Sequence, residues 1–447
     1  MRIPWTTLLA GIGVLAGSTL SSPAAATQPL AIRDVLHRVD ALDPQLRLKA
    51  AEQMQSEVAL RRARWDRVRG AIGVQGGHAI GVSGLAPAGG ESEAVRTADR
   101  FTGSAYADFR VPVFAGGAIA GAIDAAAARL EASRQDKELV RQELKRAALT
   151  AYAAVAAAQR QVEVARRGRD RAQALLELST TRRDSGIGSP ADVARSKLFL
   201  LRREEDLAAR ESDRDVAMAG LRASLLFPPG EAIEAIESLE SVAHVRGQGP
   251  GNYPELRAMQ AQAGAAKADV TVARAGYLPT VELFANGQYG NGWMGASPAG
   301  LGAVPMAYPG DPRIGTFQGA ASTGVMLSWR AFDMYATRDR TEYAELAAEG
   351  ARARLADAER NVRGARDQAA ARESQAERRV RLLAGGEETA AEAVKLARIR
   401  YETGNTILTE VLDAEIEGIG IEGRKVQAAL DLAIAHIDRL RAEGYGL

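Results

Sequence analysis

The stretch that decides the reading is Tyr401-Glu402-Thr403-Gly404-Asn405-Thr406-Ile407-Leu408-Thr409-Glu410-Val411-Leu412-Asp413-Ala414. A long Ala-rich pattern runs into it. Gly404 and Asn405 tolerate left-handed backbone and end that helix. Asn405 or Thr406 is then placed to cap a new one. Glu410 and Asp413, three residues apart, share one face of the new helix. The stretch reads as the tip of a helical hairpin carrying two carboxylates.

The same device stands 218 residues earlier, in Arg183-Asp184-Ser185-Gly186-Ile187-Gly188-Ser189-Pro190-Ala191-Asp192-Val193. Gly186 falls on Gly404, Asp192 on Glu410 and Val193 on Val411. Ser189 reads as an N-cap, with Pro190 at the first helical position. The chain is therefore read as a duplication.

The arms between turns repeat every seven residues. In the second copy Leu355, Val362, Ala369, Ala376, Leu383, Ala390 and Ala397 hold one heptad position, and Val380, Val394 and Tyr401 a neighbouring one. In the first copy Leu144, Ala151, Ala158, Ala165 and Ala172 hold the matching position. Sustained heptads mean coiled-coil packing, and Ala at core positions brings backbones close. Each arm of roughly 70 residues spans roughly 100 Å at 1.5 Å per residue.

Period two appears in two other places. Ile72, Val74, Gly76, His78, Ile80 and Val82 alternate with small or polar residues, as do Phe101 to Val113. Val281, Leu283, Ala285, Gly287 and Tyr289, then Phe317 to Trp329, repeat the pattern. These read as one strand hairpin per half, joined by Gly- and Pro-rich loops. Four strands are too few to close a barrel, since the smallest membrane barrels need about eight. In lipid, two edges would lack partners. The sheet therefore belongs to a soluble protein or to a barrel pooled from several chains.

Residues 1–26 read as a secretory signal: Arg2, an apolar run over 8–20, and Ala24-Ala25-Ala26. The first repeat is placed at 27–230, with strands over about 70–114 and a helical hairpin over about 117–226, its tip at 186–192. A linker with a short helix covers 231–251. The second repeat is placed at 252–447, with strands over about 279–331 and a helical hairpin over about 335–443, its tip at 403–413. Residues 29–69 read as helix interrupted at Pro44, with Leu46, Ala50, Met54, Val58, Arg61 and Trp65 on a helical spacing; 252–277 look like their copy.

The 57 Lys and Arg nearly balance the 56 Asp and Glu, so nothing drives the chain to nucleic acid. There is no Cys, hence no disulfide and no lipid anchor on Cys. After residue 26 no run of 18 apolar residues occurs, which excludes a transmembrane helical bundle but not a membrane barrel. His37, His78, His244 and His436 are scattered, and no metal-binding or nucleophile motif accompanies them. They read as surface or packing residues, and no catalytic residue, cofactor or metal is expected.

With these residues in view, the chain resembles the TolC-like family of outer-membrane efflux proteins over essentially its whole length after residue 26. The most specific match is Arg400-Tyr401-Glu402-Thr403-Gly404 followed by Glu410 to Ala414. Tyr277-Leu278-Pro279, residues 111–117 and residues 327–333 mark the strand–helix joins. The resemblance implies a homotrimer, a twelve-stranded barrel in outer-membrane lipid and an α-helical periplasmic tunnel. It implies export with a periplasmic adaptor and an inner-membrane pump of the RND or ABC type, for efflux or type I secretion. It places Glu410 and Asp413 at a narrow acidic entrance and pairs Tyr401 with Asp192 in its latch. Thr406 stands where the family often has an Arg, and Arg400 is the nearest basic residue to stand in. A periplasmic coiled-coil adaptor without a pore is the alternative class.

Overall fold

The computed structural model describes residues 28–83, 96–228, 233–247, 249, 251, 253–290 and 318–446. The signal segment, the interiors of the two strand-hairpin loops and Phe317 lie outside them. The elements run β1 (Gln28–Leu30), α1 (Ile32–Leu42), α2 (Pro44–Trp65), β2 (Arg69–Ser83), β3 (Arg96–Phe114), α3 (Ala118–Asp184), α4 (Pro190–Ser224), β4 (Ile233–Ala235), α5 (Leu239–Val242), α6 (Pro254–Arg274), β5 (Thr280–Gly290), β6 (Gln318–Ser328), α7 (Ala336–Glu402) and α8 (Leu408–Ala442). The protein is mostly helical. The duplication shows in equal lengths: α3 and α7 have 67 residues each, α4 and α8 have 35 each.

The chain divides into two units. One comprises Met1–Asp43, Leu144–Arg246 and Ala369–Arg439; the other comprises Pro44–Glu143, Gly247–Gln368 and Leu440–Leu447.

The second unit holds a four-stranded antiparallel sheet in the order β2-β3-β5-β6. The register places Val111 beside Leu283 and Leu283 beside Val325, with Val281 beside Leu327. These residues share one face, and Val74, Val111, Leu283, Val325 and Leu327 are all exposed. On the other face Asp108 lies beside Asn286 and Asn286 beside Ser322. There the Ser322 hydroxyl donates to Asn286, and Arg110 sits 3.2 Å from Asp108. The sheet is open, with β2 and β6 as its edges.

In this unit α2 buries Leu46 and Leu60, the latter against Ala126 and Leu130 of α3. Of the helically spaced residues on α2, Met54, Val58 and Trp65 are exposed. Strand turns to helix through left-handed pairs: Gly116 and Gly117 before α3, Met334 and Tyr335 before α7.

The first unit holds the hairpin ends and the linker as far as Arg246. Ala369, Ala376, Ala390 and Ala397 are buried along α7, so the heptad reading holds there. On α3 it holds at Ala165 and Ala172. Between 144 and 158 the fully buried positions are instead Leu149, Tyr152, Ala153 and Val155. The reason is a third layer absent from the heptad reading, a short parallel pairing of β1 with β4. The Tyr152 hydroxyl donates to Leu30 O at 2.9 Å and accepts from Glu237 N at 3.0 Å. Arg38 of α1 closes the end of α4 by donating to Leu225 O at 2.8 Å and stacking over Phe227.

Candidate functional site

Each hairpin end is a left-handed glycine turn closed by a six-residue backbone loop. Gly186 has φ +74° and Ile187 N donates to Arg182 O at 3.0 Å. Gly404 has φ +79° and Asn405 N donates to Arg400 O at 2.8 Å. Ser189 Oγ accepts from Ala191 N at 3.1 Å, with Pro190 opening α4. Asp192 sits in the first turn, where the positive end of the helix favours a carboxylate.

The second end restarts differently. Neither Asn405 nor Thr406 caps α8. The helix begins at Leu408, after the exposed Ile407; Asn405 Nδ2 donates to Thr403 Oγ1 at 3.0 Å. The Thr406 hydroxyl donates to the Glu410 carboxylate instead, and Arg400 Nη1 lies 3.3 Å from the other oxygen of Glu410. Thr406 gives its hydroxyl proton to a carboxylate one turn ahead, and it lies one residue before Ile407, which holds the cap position. Glu410 and Asp413 are both exposed, and Asp413 has no ion pair or hydrogen bond among the described residues.

Tyr401 and Asp192 are brought close but are not hydrogen-bonded. Tyr401 is 3% exposed, packed with Ala172, Leu175, Phe199, Leu408 and Val411, and its hydroxyl is unpartnered. Burial pushes its phenol up, the Asp192 charge adds to the rise, and Arg182 opposes it. The bond across the two hairpins comes from Arg182. Its Nη1 donates to Tyr401 O at 2.7 Å and Glu402 O at 2.8 Å, and its guanidinium lies 4.7 Å from the Tyr401 ring. It thus supplies donors to the free carbonyls at the end of α7. Sequence reading missed it, although Arg182 is the 218-residue counterpart of Arg400.

A second inter-hairpin set lies further along α8, which sequence reading also missed. Arg167 and Arg171 of α3 each donate to Glu422 at 2.7 Å. Burial would raise the Glu422 carboxyl, but the two arginines outweigh it and hold it below the usual range. Glu415, one heptad earlier, is 3% exposed with Arg171 at 3.9 Å. His436 also has a structural role. Its Nδ1 is 2.8 Å from buried Glu373 and its Nε2 is 3.0 Å from Val245 O. Burial would raise Glu373, but Arg439 and His436 bring it below the usual range. Among the described residues no cluster of His, Asp or Glu is placed to hold a metal.

A chain built as two repeats, each with a strand hairpin and a long helical hairpin meeting its twin at the tips, has the fold of an outer-membrane export channel subunit. The outer membrane efflux protein family matches residues 86–225 and 250–441, and the chain belongs to that family of outer-membrane proteins. The TolC-like resemblance carried by residues 401–414 is borne out at this level. The pyoverdine export outer membrane protein OpmQ of Pseudomonas aeruginosa is 30% identical over 195 residues, 42% of this chain and 40% of that protein. The matched span is thus about two fifths of that relative's length. In solved structures the fold is that of the outer membrane protein VceC of Vibrio cholerae (TM-score 0.75, 17% identity, 93% of this chain and 96% of that one). It is also that of the outer-membrane channel OprN (TM-score 0.73, 20% identity, 93% and 90%). Among the described residues no helix is long and apolar enough to cross a membrane.

Proposed function

We propose that three copies of this chain form the passive outer-membrane duct of a tripartite export system. The observation that carries the reading is the open sheet: two unpartnered edges, an exposed Val and Leu face, and an opposite face bearing Asp108, Asn286 and Ser322. Pooling three sheets into twelve strands satisfies every edge, turns the apolar face to lipid and the polar face to a water-filled lumen. The exposed Met54, Val58 and Trp65 stripe on α2 gives neighbouring copies an apolar surface to cover. The long helices extend the duct through the periplasm to an adaptor and an RND or ABC pump. The name of the OpmQ relative favours a small-molecule cargo over a protein.

In this reading the hairpin ends form the periplasmic entrance. Glu410 and Asp413 project at its rim, where rings of carboxylate select and bind cations. Arg182 keeps the two ends together, doing the work for which Tyr401 and Asp192 are the family's pair, while Arg400, Thr406 and Glu410 brace the second end within itself. Gly186, Ser189, Pro190, Gly404 and Asn405 shape the turns.

The test is purification in mild detergent with conductance measured in planar bilayers. A trimer with steady conductance is expected, with block by divalent cations weakened in Glu410→Ala/Asp413→Ala. A monomer without conductance would end the reading; unchanged block in the double variant would remove the two carboxylates from the entrance.

A further inference from the structure

Two carboxylates on α8, Glu415 and Glu422, share Arg171 of α3, and they are served unequally. Arg171 Nη2 and Arg167 Nη2 each hold one oxygen of Glu422 at 2.7 Å. Glu415 is left with Arg171 Nη1 at 3.9 Å, beyond hydrogen-bond reach, and its Oε2 has no partner. Arg398 of α7 adds a positive charge and Glu422 a negative one; these are the charges that act on it besides Arg171. On α4, Arg203 is engaged by Asp206 at 3.7 Å.

The helices around Glu415 are close-packed. A methyl added at Gly168 of α3 would come within 3.1 Å of Ile419, and one at Gly418 within 3.2 Å of Val394 of α7. The side chain cannot be rescued by a small slide of α8. A carboxylate buried without a hydrogen bond strains the contact that holds it, and a neutral carboxyl does not.

We propose that Glu415 is the proton-responsive element of the entrance: ionised, it loosens α8 of the second hairpin from α3 of the first, and protonated, it lets the two hairpins settle. This rests on the reading of the hairpin ends as a gate and deepens it. Burial pushes the Glu415 carboxyl up more than Arg171 and Arg398 draw it down. A carboxyl raised in the packed state binds its proton more tightly there, so packing strengthens as pH falls through that raised value. Glu422 has the opposite sign: its contribution is present above the ordinary carboxylate range and is lost only as pH falls through its depressed value. Between the depressed value of Glu422 and the raised value of Glu415, Glu415 is neutral and Glu422 still holds its arginines.

The experiment compares the wild type, Glu415→Gln, Glu415→Met and Glu410→Ala/Asp413→Ala, all as full-length protein in detergent, at about pH 7.5 and at about pH 5, just above the ordinary carboxylate range. Thermal unfolding is read first. The wild type gains stability on acidification. Both Glu415 variants already melt higher than wild type at the upper pH, and their gain on acidification is smaller or absent. Conductance in planar bilayers is read second. In the wild type it falls several-fold on acidification; in both Glu415 variants it is low at both pH values; in the Glu410/Asp413 variant the fall persists. Glu415 variants that keep the wild-type pH response in melting, or that melt lower than wild type at both pH values, overturn the proposal. Absence of conductance in the wild type at either pH counts against the duct itself, while the melting data still decide the role of Glu415.

Discussion

The hairpin ends at Arg182–Asp192 and Arg400–Glu410 share one backbone and spend their side chains differently. Both close with a left-handed glycine and the same backbone loop. At the first end the arginine leaves its own hairpin and binds the carbonyls of the other. At the second, its counterpart Arg400 stays at home on Glu410. At the first end Gly188 packs so tightly on Arg182 and Arg183 that a methyl would meet Arg183 N at 2.7 Å; Thr406, at the matching position, has room and serves Glu410. The first end is capped by Ser189, while Ile407 takes that place in the second. One copy sends its arginine across to the other hairpin, and the other keeps its arginine within its own turn.

That division is open to direct attack. Arg182→Ala removes two charge-assisted hydrogen bonds and a stacking contact, so a loss of about 2 kcal/mol is expected in denaturant unfolding, with higher resting conductance. Arg400→Ala breaks only an exposed pair and is expected to cost under about 0.5 kcal/mol. Equal effects of the two would erase the distinction. Next in size, Gly188→Ala is expected to cost about 1–2 kcal/mol because backbone must shift. Thr406→Ala, its counterpart, leaves stability within about 0.5 kcal/mol and is read instead as weaker pairing of Glu410, through a change in cation block. The cap gives a third comparison. Ser189→Ala is expected to lose about 1 kcal/mol, and Ile407→Ser to gain about 0.5 kcal/mol by supplying the second helix with the acceptor it lacks. A loss on Ile407→Ser would show that the exposed Ile407 is used.

Much of this was legible in the chain. The 218-residue offset, the period-two stretches and the heptads each report a local geometry, and local geometry is written in spacing. The glycine turns followed from Gly186 and Gly404 alone. The contacts that join elements were not legible. Arg182 reaches Tyr401 O across 219 positions, and Arg171 reaches Glu422 across 251. No periodicity encodes such a partner. The capping reading of Asn405 and Thr406 failed for a related reason: a Thr that caps and a Thr that binds a carboxylate one turn on have the same sequence context. The core of α3 near Tyr152 was misplaced because the β1–β4 layer, three residues to a strand, is too short to leave a pattern.

That small parallel pairing has a consequence for the order in which the molecule is made. Gln28 to Leu30 find their neighbours only at Ile233 to Ala235, and Ile32 N meets the Glu237 side chain 205 positions away. A nascent chain emerging from the export machinery must therefore carry its leading segment unzipped until the whole first repeat has been delivered. Closing a loop of that length is slow compared with winding a helix. The hairpin of α3 and α4 is thus available to assemble while the strand that will fasten its far end is still waiting for a partner.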